Sequence, residues 1–449
     1  MTGYDSVHAV VRLARISILA LVLTAAAATA AGAIPIDEFP LTSKSSGPNG
    51  ITVGADGNLW FIEAGTGKIG RMNLAGAVTG EFPVSSPTAF ESMSSPGITT
   101  GADGNVWFTE PLPAKVGRVT PAGVVTEFQL AALSQPTGIT RGPDGNVWVA
   151  EYQADKIARI TPGGMVSEFP VPTASAAPYG ITTGPDGNLW FTEDGAAKIG
   201  RMTPSGTVQE FPCPSDPDQI VAGLDGNLWF TFLFAHQINR ITPSGTQTSF
   251  ATSAAAGGIA RGPGGNLWFV EGQGDAIGTI TLAGAVSEFP LPTSGAFPDG
   301  IVTGPDGNVW FTEGGAGEIG RAIPPCVADS ETLCIDDQPG DRRWQITSSF
   351  STAEGGGRAG QGQAISLASL GVTHGGLFWF FGIDNPEMLV KVLDGCAIDQ
   401  HFWVFAAATT NVGFVLSVKD TATDNAKSYT NHDGTAAKPV QDTSALPCS

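Results

Sequence analysis

Six glutamates recur at one place in a repeated pattern, and their type and spacing could do chemistry. Glu63, Glu110, Glu151, Glu193, Glu271 and Glu313 each follow a tryptophan by three residues, and the matching place in a further copy holds Phe232. Fourteen residues before these lies a second set: Asn49, Pro96, Thr137, Tyr179, Asp218, Gly257 and Asp299. Crowded carboxylates raise one another's pKa or recruit a cation. An all-oxygen set suits a hard divalent ion, Mg²⁺ or Ca²⁺. Asp299 with Glu313 is the densest acidic pair. The pattern therefore marks Asp299, Glu313 and Glu271 as candidate catalytic residues, and Glu313 with Asp299 as candidate metal ligands. A competing reading is structural. A glutamate present in nearly every copy can hold repeats together by accepting hydrogen bonds from backbone N–H groups or from lysines and arginines such as Lys68 and Arg71, whereas an active site breaks symmetry.

Other chemistry is sparse. The sequence has no nucleophile elbow, phosphate loop or His-Glu-x-x-His. The repeated Asp-Gly-Asn lacks the acidic spacing of a calcium loop and reads as a turn. Of five histidines, His8 falls in the N-terminal segment, His236 in an irregular copy as a surface-loop candidate, and His374, His401 and His432 near the C-terminus without ligand spacing.

The elements that must position these residues are repeats. Gly-Ile-Thr-Thr-Gly-Pro-Asp-Gly-Asn-Leu-Trp-Phe-Thr-Glu at 180–193 returns at 50–63, 97–110, 138–151, 258–271 and 300–313, and more weakly at 219–232. The tryptophans Trp60, Trp107, Trp148, Trp190, Trp229, Trp268 and Trp310 are spaced about 42 apart, a propeller period. Each copy divides into four short strands, with Asp-Gly and Gly-Asn supplying turns. A Glu-Phe-Pro-like fourth strand occurs around Phe39, before the first tryptophan, and is missing after Arg321. The N-terminal strand is therefore expected to complete the last blade and remove an open sheet edge. First strands line the channel, so the two residue sets are expected as cross-strand neighbours at its mouth.

After Cys326 the pattern changes to β-branched and aromatic runs at 377–381, 388–393, 402–406 and 413–419, expected to form a β-sandwich of roughly seven strands. The fold expected is all-β: a signal peptide over 1–33, a seven-bladed β-propeller over 34–323 and a small β-sandwich over 324–449. Arg12 and Arg15, the apolar stretch 16–31 and Ala31-Gly32-Ala33 carry the signal reading.

The chain has 60 glycines and 32 prolines in 449 residues but is 42% hydrophobic, which excludes a disordered polymer. A net charge of −20 argues against nucleic acid and anionic lipid. Cys326, Cys334, Cys396 and Cys448 read as two disulfides of an exported protein. Three pairings are open, with Cys326–Cys334 and Cys396–Cys448 favoured. Cys213 reads as a small buried hydrophobe.

The repeat motif, followed by Lys-Ile-Gly-Arg and Glu-Phe-Pro, resembles the streptogramin B lyase (virginiamycin B lyase) family over residues 36–323. The resemblance implies a seven-bladed propeller, a Mg²⁺ ion and histidines on one face that open a cyclic depsipeptide at its ester by elimination. It places those histidines at Gly257 and Asp299, a glutamate at Glu313 and a further acid at Phe297, so only Glu313 survives. The C-terminal segment, with Phe-Trp-Phe-Phe and His-Phe-Trp-Val-Phe-Ala, resembles a β-sandwich appended to many secreted bacterial proteins, and a surface-association role is its natural expectation. Two functions are expected in competition. One is a secreted, extracellular or periplasmic, monomeric binding protein without the lyase histidines. It would hold a small-molecule, glycan or protein ligand at the channel mouth, without nucleic acid or membrane insertion. The other is a metal-dependent carbon–oxygen lyase acting on cyclic depsipeptide or lactone esters.

Overall fold

Seven four-stranded antiparallel sheets follow one another from residue 36 to 322, as the repeat requires. The computed structural model describes residues 34–448, apart from 87, 89, 91–95, 233, 327–330, 336–342, 353–358, 368–373, 381–386, 411, 422 and 424. The expected signal peptide and its cleavage site lie outside the described residues.

Blade 4 shows how the repeat folds. Its strands are Pro178–Thr183, Leu189–Glu193, Lys198–Met202 and Val208–Pro212. The first turn needs a left-handed residue, and Gly187 supplies it at φ +73. The Asp186 carboxylate accepts from the Trp190 indole N–H at 3.0 Å and the Asn188 amide at 2.8 Å. Asp-Gly-Asn is thus a clamp on the tryptophan. Trp190 stacks on Phe211, with ring centroids 5.6 Å apart, and the Arg201 guanidinium lies over both rings. Arg201 Nη1 then donates to the Pro243 carbonyl of the next blade at 3.0 Å. One arginine therefore covers a blade's aromatic stack and ties it to its neighbour.

The ring closes as the sequence predicts. Ile36–Pro40 is the outer strand of blade 7, antiparallel to Glu318–Ala322. Phe39 stacks on Trp310, Arg321 lies over both rings, and its guanidinium also bonds Asp37 at 2.6 Å. First strands pack beside one another around the whole circle, the seventh beside the first.

Beyond the propeller two five-stranded sheets enclose one core that includes Trp344, Phe378, Phe402 and Leu416. The sequence predicts roughly seven strands here, but ten are described, because short strands such as Ala359–Gln361 and Gln363–Ser366 lie in polar stretches without apolar alternation. The disulfides are Cys326–Cys334 and Cys396–Cys448, and Cys213 is a free, half-buried thiol. Lys419 of the sandwich donates to the Asp306 carbonyl and the Asn308 side chain in a turn of blade 7.

Candidate functional site at the channel mouth

The inner strands are held together by a device that the Gly-Ile and Trp-Phe-Thr-Glu motifs encode jointly. In five blades the pairing of first and second strands shifts by one residue just before Gly-Ile. Such a bulge frees a backbone N–H. In blades 4, 5 and 7 the motif threonine accepts it: Gly180 to Thr192, Gln219 to Thr231 and Gly300 to Thr312, at 2.8–3.1 Å; in blade 2, whose pairing shows no shift, Gly97 donates to Thr109 at 2.8 Å. Thr109 and Thr192 then donate to the Thr137 and Asp218 carbonyls of the following blade at 2.7 Å. The glycine is required by the same approach, because a Cβ on Gly180 would lie 2.7 Å from the Asp218 carbonyl oxygen.

The bulge corrects the expected register. Glu63, Glu151, Glu193 and Glu313 lie opposite Pro48, Pro136, Pro178 and Pro298, rather than opposite the residue before glycine. The glutamates also do not ring the mouth. All six are buried, because side chains of a second strand project from the faces of the blade and only the first strand meets the channel. A Cβ on third-strand Gly70 or Gly320 would meet Oε1 of Glu63 or Glu313 at 2.9 and 2.6 Å. Desolvation, followed by the charge of a nearby fourth-strand carboxylate, pushes Glu110 and Glu193 up to about 8 and Glu151 to about 7. The expected lysine partners bond those fourth-strand glutamates instead: Lys68 to Glu81, Lys115 to Glu127, Lys156 to Glu168 and Lys198 to Glu210, at 2.6–2.7 Å.

Of the three candidate catalytic residues, the structure leaves only Asp299 at the mouth. Glu271 is turned into blade 6, accepting from the Ser253 hydroxyl and the Ala254 N–H at 3.2 Å, with burial pushing it up to about 7. Burial and the charges of Glu38, Glu318 and Asp275 push Glu313 up to about 8. Its carboxylate gathers with those of Glu38 and Glu318.

The mouth is lined by Asn49, Pro96, Gln219 and Asp299 above a girdle of isoleucines that includes Ile51, Ile98 and Ile301. The cavity holds about 150 Å³, too little to enclose a drug-sized molecule, which needs at least about 300 Å³. Behind the lining, burial and then the charge of Asp299 push the Asp218 carboxyl up to about 8. At neutral pH Asp218 keeps its proton, and the pair carries less charge than its two acids could. The strand connections on this face carry exposed Phe234 and Phe297, and Tyr152 packs edge-on against Tyr179 of the first strand of blade 4. His236 is exposed in the same blade-5 connection as Phe234, and no histidine lines the cavity among the described residues.

A model of the virginiamycin B lyase family matches residues 91–328, more than half of the chain. The chain belongs to the virginiamycin B lyase family. Among solved structures, a streptogramin B lyase is 35% identical, covering 64% of this chain and 97% of that one, with a TM-score of 0.61. A selenomethionine-substituted virginiamycin B lyase from Staphylococcus aureus is 37% identical, covering 64% of this chain and 99% of that one, with a TM-score of 0.60. A catalytically inactive histidine-to-alanine variant of the S. aureus lyase, solved with quinupristin, is 36% identical with the same coverage and TM-score. No curated protein matches the chain.

The resemblance to this lyase family puts its histidines at Gly257 and Asp299; Asp299 lies in the first strand of blade 7 and lines the mouth, whereas Gly257 precedes the first strand of blade 6, Ile259–Arg261. The magnesium ion implied by the family finds no fitting set at this mouth. Glu313 and Glu271 are turned into their blades, and no three acidic, imidazole or thiol ligands gather there among the described residues. Asp218 stood in the set fourteen residues before the glutamates, whereas Glu38 and Glu318 were not among the residues the sequence singled out. Glu318 carries a readable signal, since it replaces the lysine of the Lys-Ile-Gly-Arg motif.

Proposed function

We propose that this virginiamycin B lyase-family propeller is a secreted binding protein whose channel mouth holds a compact ligand with apolar surface and a positive charge, without opening an ester. The observation that carries this reading is the pair Gly257 and Asp299, which stands where the resemblance expects histidines. Elimination needs a base for the proton next to the carbonyl, and imidazole is the side chain suited to that at neutral pH. A carboxylate at the mouth, with the exposed rings of Phe234 and Phe297 on strand connections of the same face, instead favours a cation. The shallow cavity and the exposed Phe234 and Phe297 support a ligand lying across the mouth. The two disulfides support an oxidising compartment.

One observation favours the second reading, a residual lyase. Asp218 is held at about 8, within reach of acid–base work near neutrality. One experiment separates the two. The protein is mixed with quinupristin, binding is followed by calorimetry, and cyclic and linear forms are separated by chromatography, because elimination leaves the mass unchanged. Saturable binding, weakened by Asp299→Asn, with the cyclic form recovered intact, is the expected result. Catalytic accumulation of the linear isomer that stops in Asp299→Asn overturns it.

A further inference from the structure

The blades are near-copies, so a departure in one is read against its sisters. In blades 1–4 the third strand opens with a lysine directly opposite the buried second-strand glutamate. Its ammonium bonds the fourth-strand glutamate at 2.6–2.7 Å and reaches the second-strand glutamate by charge alone, the oxygens of Glu110 and Glu193 having no hydrogen-bond partner. Blade 5 has lost both acids: Phe232 and Ser249 stand in their places. Blade 6 has Ala276 for the lysine, and its Glu271 takes hydrogen bonds from Ser253 and Ala254.

Blade 7 keeps both acids and reverses the charge between them. Glu318 occupies the lysine position, opposite Glu313, and Glu38 lies on the closing N-terminal strand, opposite Gly320. Carboxylate oxygens of Glu38, Glu313 and Glu318 lie within 4.8 Å of one another. Glu38 is oriented by the Thr293 N–H and hydroxyl, at 3.0 and 2.8 Å. Glu313 is fully buried, aims into this group, and neither of its oxygens has a hydrogen-bond partner. A buried acid without a partner is costly, and three like charges at this spacing add to the cost.

We propose that Glu38, Glu313 and Glu318 bind a hard divalent cation, which does in blade 7 what lysine does in blades 1–4 and ties the N-terminal strand into the ring. Carboxylates from three adjacent strands provide the all-oxygen set that calcium or magnesium takes, with water completing the shell. The cation joins residue 38 to residues 313 and 318, so it clasps the seam on which ring closure depends. The site is separate from the channel mouth and stands independently of the ligand proposed there.

The test uses the whole protein stripped with a chelator, then titrated with Ca²⁺ and separately with Mg²⁺, followed by calorimetry and thermal unfolding. A site with a rise in Tm is expected. Glu318→Lys rebuilds the pair that folds in four sister blades, so it should fold, lose the ion response, and bind at least tenfold more weakly. Glu313→Gln should weaken binding likewise, and Asp299→Asn should leave it intact. No heat and no Tm change in the parent protein up to millimolar ion overturns the proposal. So does an ion response that survives in both Glu318→Lys and Glu313→Gln, or one that Asp299→Asn abolishes.

Discussion

Replacing Glu110 by glutamine should make the propeller less sensitive to alkali. Burial raises this carboxyl from 4.5 to about 8, and neither oxygen has a hydrogen-bond partner, so the folded form favours the neutral acid. Between those two values the folded chain holds a proton that the unfolded chain has released, so stability falls as pH rises. At about 1.4 kcal/mol per unit, roughly 3.5 units correspond to about 5 kcal/mol, with about 3 kcal/mol already lost at pH 7. Glutamine has the same shape and no proton to lose. At pH 5 variant and parent should differ by no more than about 1 kcal/mol, whereas at pH 8.5 the variant should be more stable by about 3–5 kcal/mol. Urea unfolding followed by tryptophan fluorescence at both pH values measures this, and the other buried glutamates cancel because they titrate in both proteins. An equal difference at pH 5 and pH 8.5 would refute the claim that Glu110 is held protonated.

Gly300→Ala should destabilise by about 2–3 kcal/mol, because its Cβ would sit 2.7 Å from the Asn49 carbonyl oxygen across the closing interface. Gly257→Ala meets nothing nearer than 3.7 Å and should be tolerated, and equal melting temperatures for the two variants would contradict the packing argument. Phe39→Ala removes the stack on Trp310 and the cover over Arg321, and should cost about 2–4 kcal/mol in chemical unfolding. Asp299→Asn removes a charge that raises Asp218, so the Asp218 carboxyl should titrate below about 8 when followed by carbon-13 NMR; an unchanged midpoint would disprove the coupling. Replacing Cys396 and Cys448 by serine opens a link spanning 52 residues and should destabilise the sandwich by up to about 4 kcal/mol, read by calorimetric melting.

Much of the architecture was legible because a repeat is a redundant message. Seven tryptophans at one period and a Glu-Phe-Pro strand displaced to the front of the chain suffice to predict seven blades and a ring closed by residues 36–40. The site was less legible. A glutamate three residues after each tryptophan looks like a ligand ring when strands pair regularly. The bulge before Gly-Ile shifts that pairing, and the faces of the second strand point between blades. No local pattern announces a bulge until the threonine that accepts its freed N–H is seen in place.

What the sequence by itself determined is what local chemistry dictates: strand period, turn type, the aromatic stack under each arginine, and the absence of histidine at positions 257 and 299. Only tertiary structure decided which acids meet. Glu38 and Glu313 are 275 positions apart in the chain, and they become neighbours because ring closure carries the first strand to the last blade. The protonation of Asp218 and of the inner glutamates was likewise decided by burial, since desolvation depends on what surrounds a carboxyl and not on which residues precede it.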